Sequence, residues 1–204
     1  MRQLTDYIKE YPNCLSDELC DEMVRRFDVD KRTYRGELRD GPPNYKQSTD
    51  LHISRLPDWK DVDNQLFEAL APKVSQYLTF LEDSFGFFEG RNIHDVGYQI
   101  QKTCVGEGYK WHSDHQIHGV RQNAFNDVIM VPQRIVTYIF YLNAVEAGGQ
   151  TQFFRDETVG VTPEKGKLLL FPANPIYVHQ GAPVEAGVKY IATGWVCSSY
   201  LALD

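Results

Sequence analysis

From about Ile93 onward the chain breaks into short runs of β-branched and aromatic residues separated by turn signals, and this texture limits its choice of fold. The runs are Asp95–Cys104, Arg134–Leu142, Gly149–Phe154, Lys167–Phe171, Ile176–His179 and Lys189–Cys197. Gly106-Glu107-Gly108, Gly148-Gly149, Pro163–Gly166 and Gly181–Gly187 supply the breaks. Many short strands at this spacing close on themselves as a β-sandwich or jelly roll, because each buries only one narrow apolar face.

Residues 1–90 read differently. Ser16 can cap a helix that begins with Asp17 and Glu18 at its positive end. Leu19, Cys20, Met23, Val24 and Phe27 then share one face. A second helical pattern runs from about Asp58 to Phe85, where Trp59, Val62, Leu66, Phe67, Leu70, Val74, Tyr77, Leu78 and Leu81 recur at three- and four-residue steps. Pro72 predicts a kink or a division of that helix. Between the two helices, Lys31–Ser54 is punctuated by Gly41-Pro42-Pro43 and reads as a loop with short strands. Gln116–Gln133 is long, polar and weakly patterned, as functional lids often are. The expected architecture is mainly β with flanking α: a β-core covered on one side by N-terminal helices.

The formal charge of −7 argues against electrostatic binding of nucleic acid or anionic membrane. No apolar run approaches the length of a membrane span, and MRQLTDYIKEYPN has no apolar core of the secretory kind. Cys14, Cys20, Cys104 and Cys197 form no C-x-x-C pair. They are expected as reduced thiols in a soluble, cytoplasmic protein.

The chemistry starts at GEGYKWHSDH, residues 106–115. His112 and Asp114 form H-x-D, and residues two apart on a strand point to the same side. Such a pair alone carries little weight. A third ligand is available at His179, and two His with one carboxylate is the donor set of non-haem Fe(II) oxygenases. Ten residues further lies Lys189, on a strand pattern with Thr193 and Trp195. A lysine facing an aromatic interior is costly unless an anion meets it. His115 should point away from a site built by His112 and Asp114, since adjacent strand residues alternate.

These segments resemble the Fe(II)- and 2-oxoglutarate-dependent dioxygenases, specifically their prolyl 4-hydroxylase-like branch. Gly106–Asp114 resembles the family's G-x-x-Y-x-x-H-x-D, and IVTYIFYLN at 135–143 its central strand. GGQTQF at 148–153 resembles G-G-E-T-x-F, with Gln150 where Glu is usual. GKLLLFP at 166–172 resembles the next strand. HQGAPVEAGVKYIATGW at 179–195 resembles the distal H-x-G-x-P-V-x-x-G-x-K-W, with Tyr190 for Trp. The likeness covers about residues 93–197.

The resemblance implies a single dioxygenase domain over 1–204, with a double-stranded β-helix core over 91–204 and a helix-rich support over 1–90. It implies Fe(II) held by His112, Asp114 and His179, with 2-oxoglutarate and O2 as co-substrates. Lys189 would pair with the distal carboxylate of 2-oxoglutarate, with help from Thr193 and Tyr141. Tyr109, Arg121 and Trp195 are the candidates for contact with substrate; Arg121, within Gln116–Gln133, and Arg134, just after it, could contact an acidic or extended partner. The family often has a tyrosine near positions 102–103, where this chain has Lys102 and Thr103; Thr103, Gln99 and Gln101 are the alternatives. Related halogenases replace the position of Asp114 with a small residue, so its presence points to hydroxylation. The implied reaction is hydroxylation of a C–H bond, foremost of a peptidyl proline, coupled to decarboxylation of 2-oxoglutarate to succinate and CO2. Relatives commonly use ascorbate to keep the iron reduced. The same chemistry on a free amino acid or other small molecule, and a cupin-like metal-binding module without turnover, are the alternatives.

Overall fold

The computed structural model describes residues 2–36, 42, 44–86, 91–116, 120–122, 128–130 and 132–200. In chain order the elements are β1 (Lys9–Tyr11), α1 (Asp17–Val29), β2 (Tyr34–Gly36), β3 (Ser48–His52), α2 (Lys60–Phe85), β4 (Arg91–Asp95), β5 (Gln99–Thr103) and β6 (Tyr109–His112). They continue as β7 (Val120–Gln122), β8 (Val128–Met130), β9 (Gln133–Tyr141), β10 (Ala147–Gly148), β11 (Thr151–Phe153) and β12 (Val159–Val161). The last four are β13 (Leu168–Pro172), β14 (His179–Gly181), β15 (Val184–Ala186) and β16 (Lys189–Tyr200).

Two antiparallel sheets face each other. The major sheet runs β1-β13-β9-β16-β5-β3-β2, with β4 also on β16; the minor sheet runs β12-β11-β14-β6. The chain passes repeatedly from one sheet to the other, from β5 to β6, β9 to β11, β12 to β13, β13 to β14 and β14 to β16. The run IVTYIFY on β9 is apolar on both sides because both sides are covered. Thr137 and Ile139 look into the space between the sheets, while Val136, Tyr138 and Phe140 join the apolar cluster that includes residues of both helices. Phe27 of α1 meets Tyr190 of β16 edge-on at 6.0 Å, and the Tyr190 hydroxyl donates to Asp28.

α1 starts where the cap predicts: Ser16 Oγ accepts from Leu19 N at 3.2 Å, and Cys20, Met23 and Phe27 are buried. α2 differs from expectation. It is one continuous helix through Pro72, not divided there. Pro72 and Glu68 are both exposed, so the carbonyl that loses its intrahelical donor can turn to water. The N-terminal region is also more than a helical support, since β1, β2 and β3 extend both ends of the major sheet. Three-residue strands are too short to show a period. Gln116–Gln133 is likewise not simply a polar loop, because β7 and β8 pair within it as a hairpin. His118 and the side chain of Arg121 lie outside the described residues. Among the described residues no helix is long and apolar enough to cross a membrane, and Cys14, Cys20, Cys104 and Cys197 are free thiols.

Gly194 on β16 is a packing requirement. A Cβ there would fall on the Tyr138 hydroxyl and the Gly97 carbonyl, which are themselves hydrogen-bonded at 2.8 Å. Gly194→Ala should therefore destabilise the fold by about 1–3 kcal/mol through overpacking and loss of that bond. Urea denaturation of the two proteins compares them directly, and equal midpoints would contradict this packing.

Candidate metal centre

The minor sheet sets two imidazoles side by side. Antiparallel pairing places Phe153, His179 and His112 directly across from one another on β11, β14 and β6. The His112 and His179 rings lie 4.2 Å apart, centre to centre. Tyr109 stacks on His112 at 3.5 Å, and the edge of Phe171 meets His179 at 4.8 Å. Each imidazole is also held through its inner nitrogen. His112 Nδ1 lies 2.7 Å from the Lys110 carbonyl, and His179 Nδ1 lies 3.0 Å from the Tyr177 carbonyl. A carbonyl only accepts, so both Nδ1 atoms carry the proton and both Nε2 lone pairs are left for a metal.

Asp114 completes the group, but not by strand geometry. β6 ends at His112, and Asp114 lies in the following turn. It is held from the opposite sheet: Thr137 Oγ1 on β9 donates to its Oδ2 at 2.7 Å. Its Oδ1 is 3.8 Å from His112 Nε2 and its Oδ2 is 3.6 Å from His179 Nε2. The three ligand atoms all fall within 4.8 Å of one another. Burial works to raise the Asp114 pKa, but the two imidazoles and the Thr137 hydroxyl outweigh it and hold the group ionised. Burial, reinforced by the neighbouring His179, pushes His112 down to about 4, so it is neutral at pH 7. A neutral His112 imidazole beside an ionised carboxylate suits a divalent first-row metal. His115 is exposed and stands apart from the triad.

A cavity of about 80 Å³ opens from the triad into the space between the sheets. Lys189 lies in its wall, only 5% exposed. Its Nζ donates to the Gly149 carbonyl at 2.6 Å, and no carboxylate pairs with it among the described residues. Gly149 has a φ of 70°, a left-handed conformation that glycine reaches without strain. Burial lowers the Lys189 pKa to about 8. Thr103 sits opposite Lys189 in the β5–β16 register, and Thr103 and Gln101 both line the cavity. Gln99 instead turns to the outer groove, where its amide donates to Tyr34 and Asp50.

The other expected residues are distributed unevenly. Thr193 lines the cavity, but its hydroxyl donates to the Tyr138 carbonyl at 2.7 Å. Tyr141 stands behind the wall: its hydroxyl is 2.7 Å from Thr151 Oγ1, and Lys189 Nζ lies 5.5 Å from its ring centre. Thr151, which no sequence argument singled out, is the group that lines the cavity there. Tyr109 and Trp195 both border it, and the Arg134 guanidinium stacks 3.4 Å over the Trp195 ring. The Trp195 indole nitrogen is buried without a hydrogen-bond partner.

The sequence model of the 2OG-Fe(II) oxygenase superfamily matches residues 98–197. The segment 98–197 belongs to this superfamily. Among curated proteins, prolyl 4-hydroxylase 13 of Arabidopsis thaliana is 27% identical over 183 residues, 79% of this chain and 58% of that one. Probable prolyl 4-hydroxylase 9 of the same plant is 31% identical over 127 residues, 50% of this chain and 41% of that one. The chain therefore spans less than two thirds of the length of either. Among solved structures, the viral collagen prolyl hydroxylase of Paramecium bursaria Chlorella virus-1 superposes with a TM-score of 0.64 at 21% identity, covering 94% of this chain and 96% of that one. A Trichoplax adhaerens prolyl hydroxylase, solved with a hypoxia inducible factor oxygen degradation domain peptide fragment, superposes at 0.69 with 18% identity, covering 95% and 84%. These two place the fold among the prolyl hydroxylases; the superfamily itself implies Fe(II), 2-oxoglutarate and O2.

Two outcomes follow from the geometry. Thr137→Val keeps the shape but removes the hydroxyl that donates to Asp114, so divalent-metal affinity should fall roughly 10- to 100-fold. Calorimetric titration with Fe(II) under anaerobic conditions, or with Mn(II), reads this, and unchanged affinity would contradict the assigned role. Lys189→Met should stabilise the apo-protein at pH 7. A lysine whose pKa is about 8 folded and 10.5 unfolded carries a penalty on the order of 3 kcal/mol below pH 8. The unfolded chain binds the extra proton, so the penalty shrinks as pH rises from 8 toward 10.5. Denaturation at pH 7 and pH 10 should show the gap between variant and parent closing.

Proposed function

We propose that this chain hydroxylates peptidyl proline, using Fe(II), 2-oxoglutarate and O2, with ascorbate as the reductant that keeps the iron ferrous. What carries the reading is the buried ammonium of Lys189 in the same cavity as the His112, Asp114 and His179 triad. A buried cation with only a carbonyl for company calls for an anion. A dicarboxylate that reaches from Lys189 toward the triad would satisfy both ends of the cavity. The prolyl hydroxylases among its relatives make proline the first substrate to test. The free thiols are compatible with a reducing compartment such as the cytoplasm.

Each residue then has a defined task. His112, Asp114 and His179 would hold Fe(II) on one side and leave the other positions to the co-substrate and O2. When bound, the iron and 2-oxoglutarate together supply the oxidising power, in exchange for loss of CO2 and formation of succinate. Lys189 would donate to the distal carboxylate, and Thr151 is placed to add its hydroxyl on the same wall. Thr193 would have to release the Tyr138 carbonyl to contribute a proton there. Ile139 and Ile191 form apolar cavity wall, which excludes water from the oxidising step.

Anaerobic reconstitution with Fe(II) and 2-oxoglutarate should give the visible charge-transfer absorption of a chelated keto acid. Admission of O2 with a proline-containing peptide should then yield succinate and a peptide heavier by one oxygen. His179→Ala should abolish absorption and turnover together. No absorption and no succinate from the parent protein would defeat the dioxygenase reading, whereas oxygen added only to a free amino acid would defeat the peptide substrate.

A further inference from the structure

We infer that the groove outside the metal centre selects an acidic peptide, one that places carboxylate side chains next to the residue being hydroxylated. This inference rests on the prolyl hydroxylase reading and specifies its substrate class. The groove, of about 690 Å³, shares Lys46, Tyr109, Asp114 and Trp195 with the inner cavity and is also lined by Arg134 and Arg55.

Its charges do not balance. Lys46 and Asp50 cancel each other, with Nζ and Oδ2 2.6 Å apart, and Ser48 and Gln99 satisfy the same buried carboxylate. Asp114 groups with His112 and His179 and also acts on Arg134 across the groove, without a salt bridge between them. His52 sits half-buried beside Arg55, and burial together with that cation lowers its pKa, so it adds no positive charge at pH 7. Two guanidinium groups remain. Neither Arg55 nor Arg134 pairs with a carboxylate among the described residues. The contrast with other arginines is direct: Arg25, Arg26, Arg32 and Arg35 each reach a carboxylate at the surface.

The two are held differently. Arg134 is partly buried and stacked flat on Trp195. Stacking fixes the guanidinium plane but leaves its N–H donors unspent, and a planar fork matches a carboxylate. Arg55 is exposed at the outer end of the groove, beside the stacked rings of Tyr34 and His52. A chain of net charge −7 thus carries a groove of the opposite sign over its reaction centre. Such local reversal attracts anionic ligands and repels cationic ones. A carboxylate near the reacting residue would meet Arg134, and a second, further along the peptide, would meet Arg55.

The test uses three peptides of equal length around one proline, flanked by Glu, by Gln or by Lys. Binding is measured by calorimetry on the anaerobic Fe(II)- and 2-oxoglutarate-loaded protein, and hydroxylation by mass spectrometry after O2 is admitted. The Glu peptide should bind roughly tenfold more tightly than the Gln peptide, the Lys peptide should bind most weakly, and the spread should narrow in high salt. Arg55→Glu, at an exposed position that the fold tolerates, should reduce the advantage of Glu over Lys. Equal affinities for the Glu and Gln peptides, no binding by any of them, or a ranking untouched by Arg55→Glu would overturn the inference. Tight binding of the Glu peptide without added oxygen would uphold the groove and overturn the prolyl reading. Equal binding and hydroxylation of all three would do the reverse.

Discussion

The hydrogen bond from Thr137 to Asp114 joins the two sheets at the point where chemistry is expected. The imidazoles of His112 and His179 come from neighbouring strands of the minor sheet, and their ladder sets their separation. Asp114 has left that ladder, and its carboxylate is aimed by a hydroxyl of the major sheet. The donor set therefore exists only when both sheets are assembled in register. A one-residue slip of β9 would turn Thr137 to the helical side and bring Val136 or Tyr138 to face the carboxylate.

A second constraint is the buried charge of Lys189. Within an apolar barrel it costs stability, and Gly149 offers it only a neutral carbonyl. Evolution could have replaced it with an apolar side chain at a gain in stability. Its retention next to a metal-binding triad is the kind of local violation that functional sites display. Lys46 and Asp50 show the opposite solution nearby: a buried pair, fully satisfied, that shapes the groove without a demand for a ligand.

Much of the site was legible before any coordinates. His112, Asp114, His179 and Lys189 were found because each falls in a segment with a characteristic local pattern, and the structure brings all four to one cavity. Thr137 and Thr151 were missed because nothing distinguishes an inward threonine on a strand from any other. Asp50 was missed for a related reason: its partner Gln99 lies on another strand, which sequence spacing does not relate to it, and Gln99, expected as an alternative to Thr103, turns to the outer groove instead. Tyr141 was found by resemblance, but Thr151 stands between it and the open space.

Local signals and period alone determined the helix α1 with its Ser16 cap and the jelly-roll texture after Ile93. Those depend on residues close in the chain, where spacing and backbone preference act directly. Tertiary structure decided the rest. It carried α2 unbroken through Pro72 because that face looks to water, and it recruited β1 to β3 into the major sheet. It placed Asp114 in a turn and committed the Thr193 hydroxyl to a carbonyl. It also set Arg55 and Arg134 along one groove with no salt bridge to a carboxylate among the described residues. Each of these is settled by which long-range neighbours are present, and no property of a short segment encodes that.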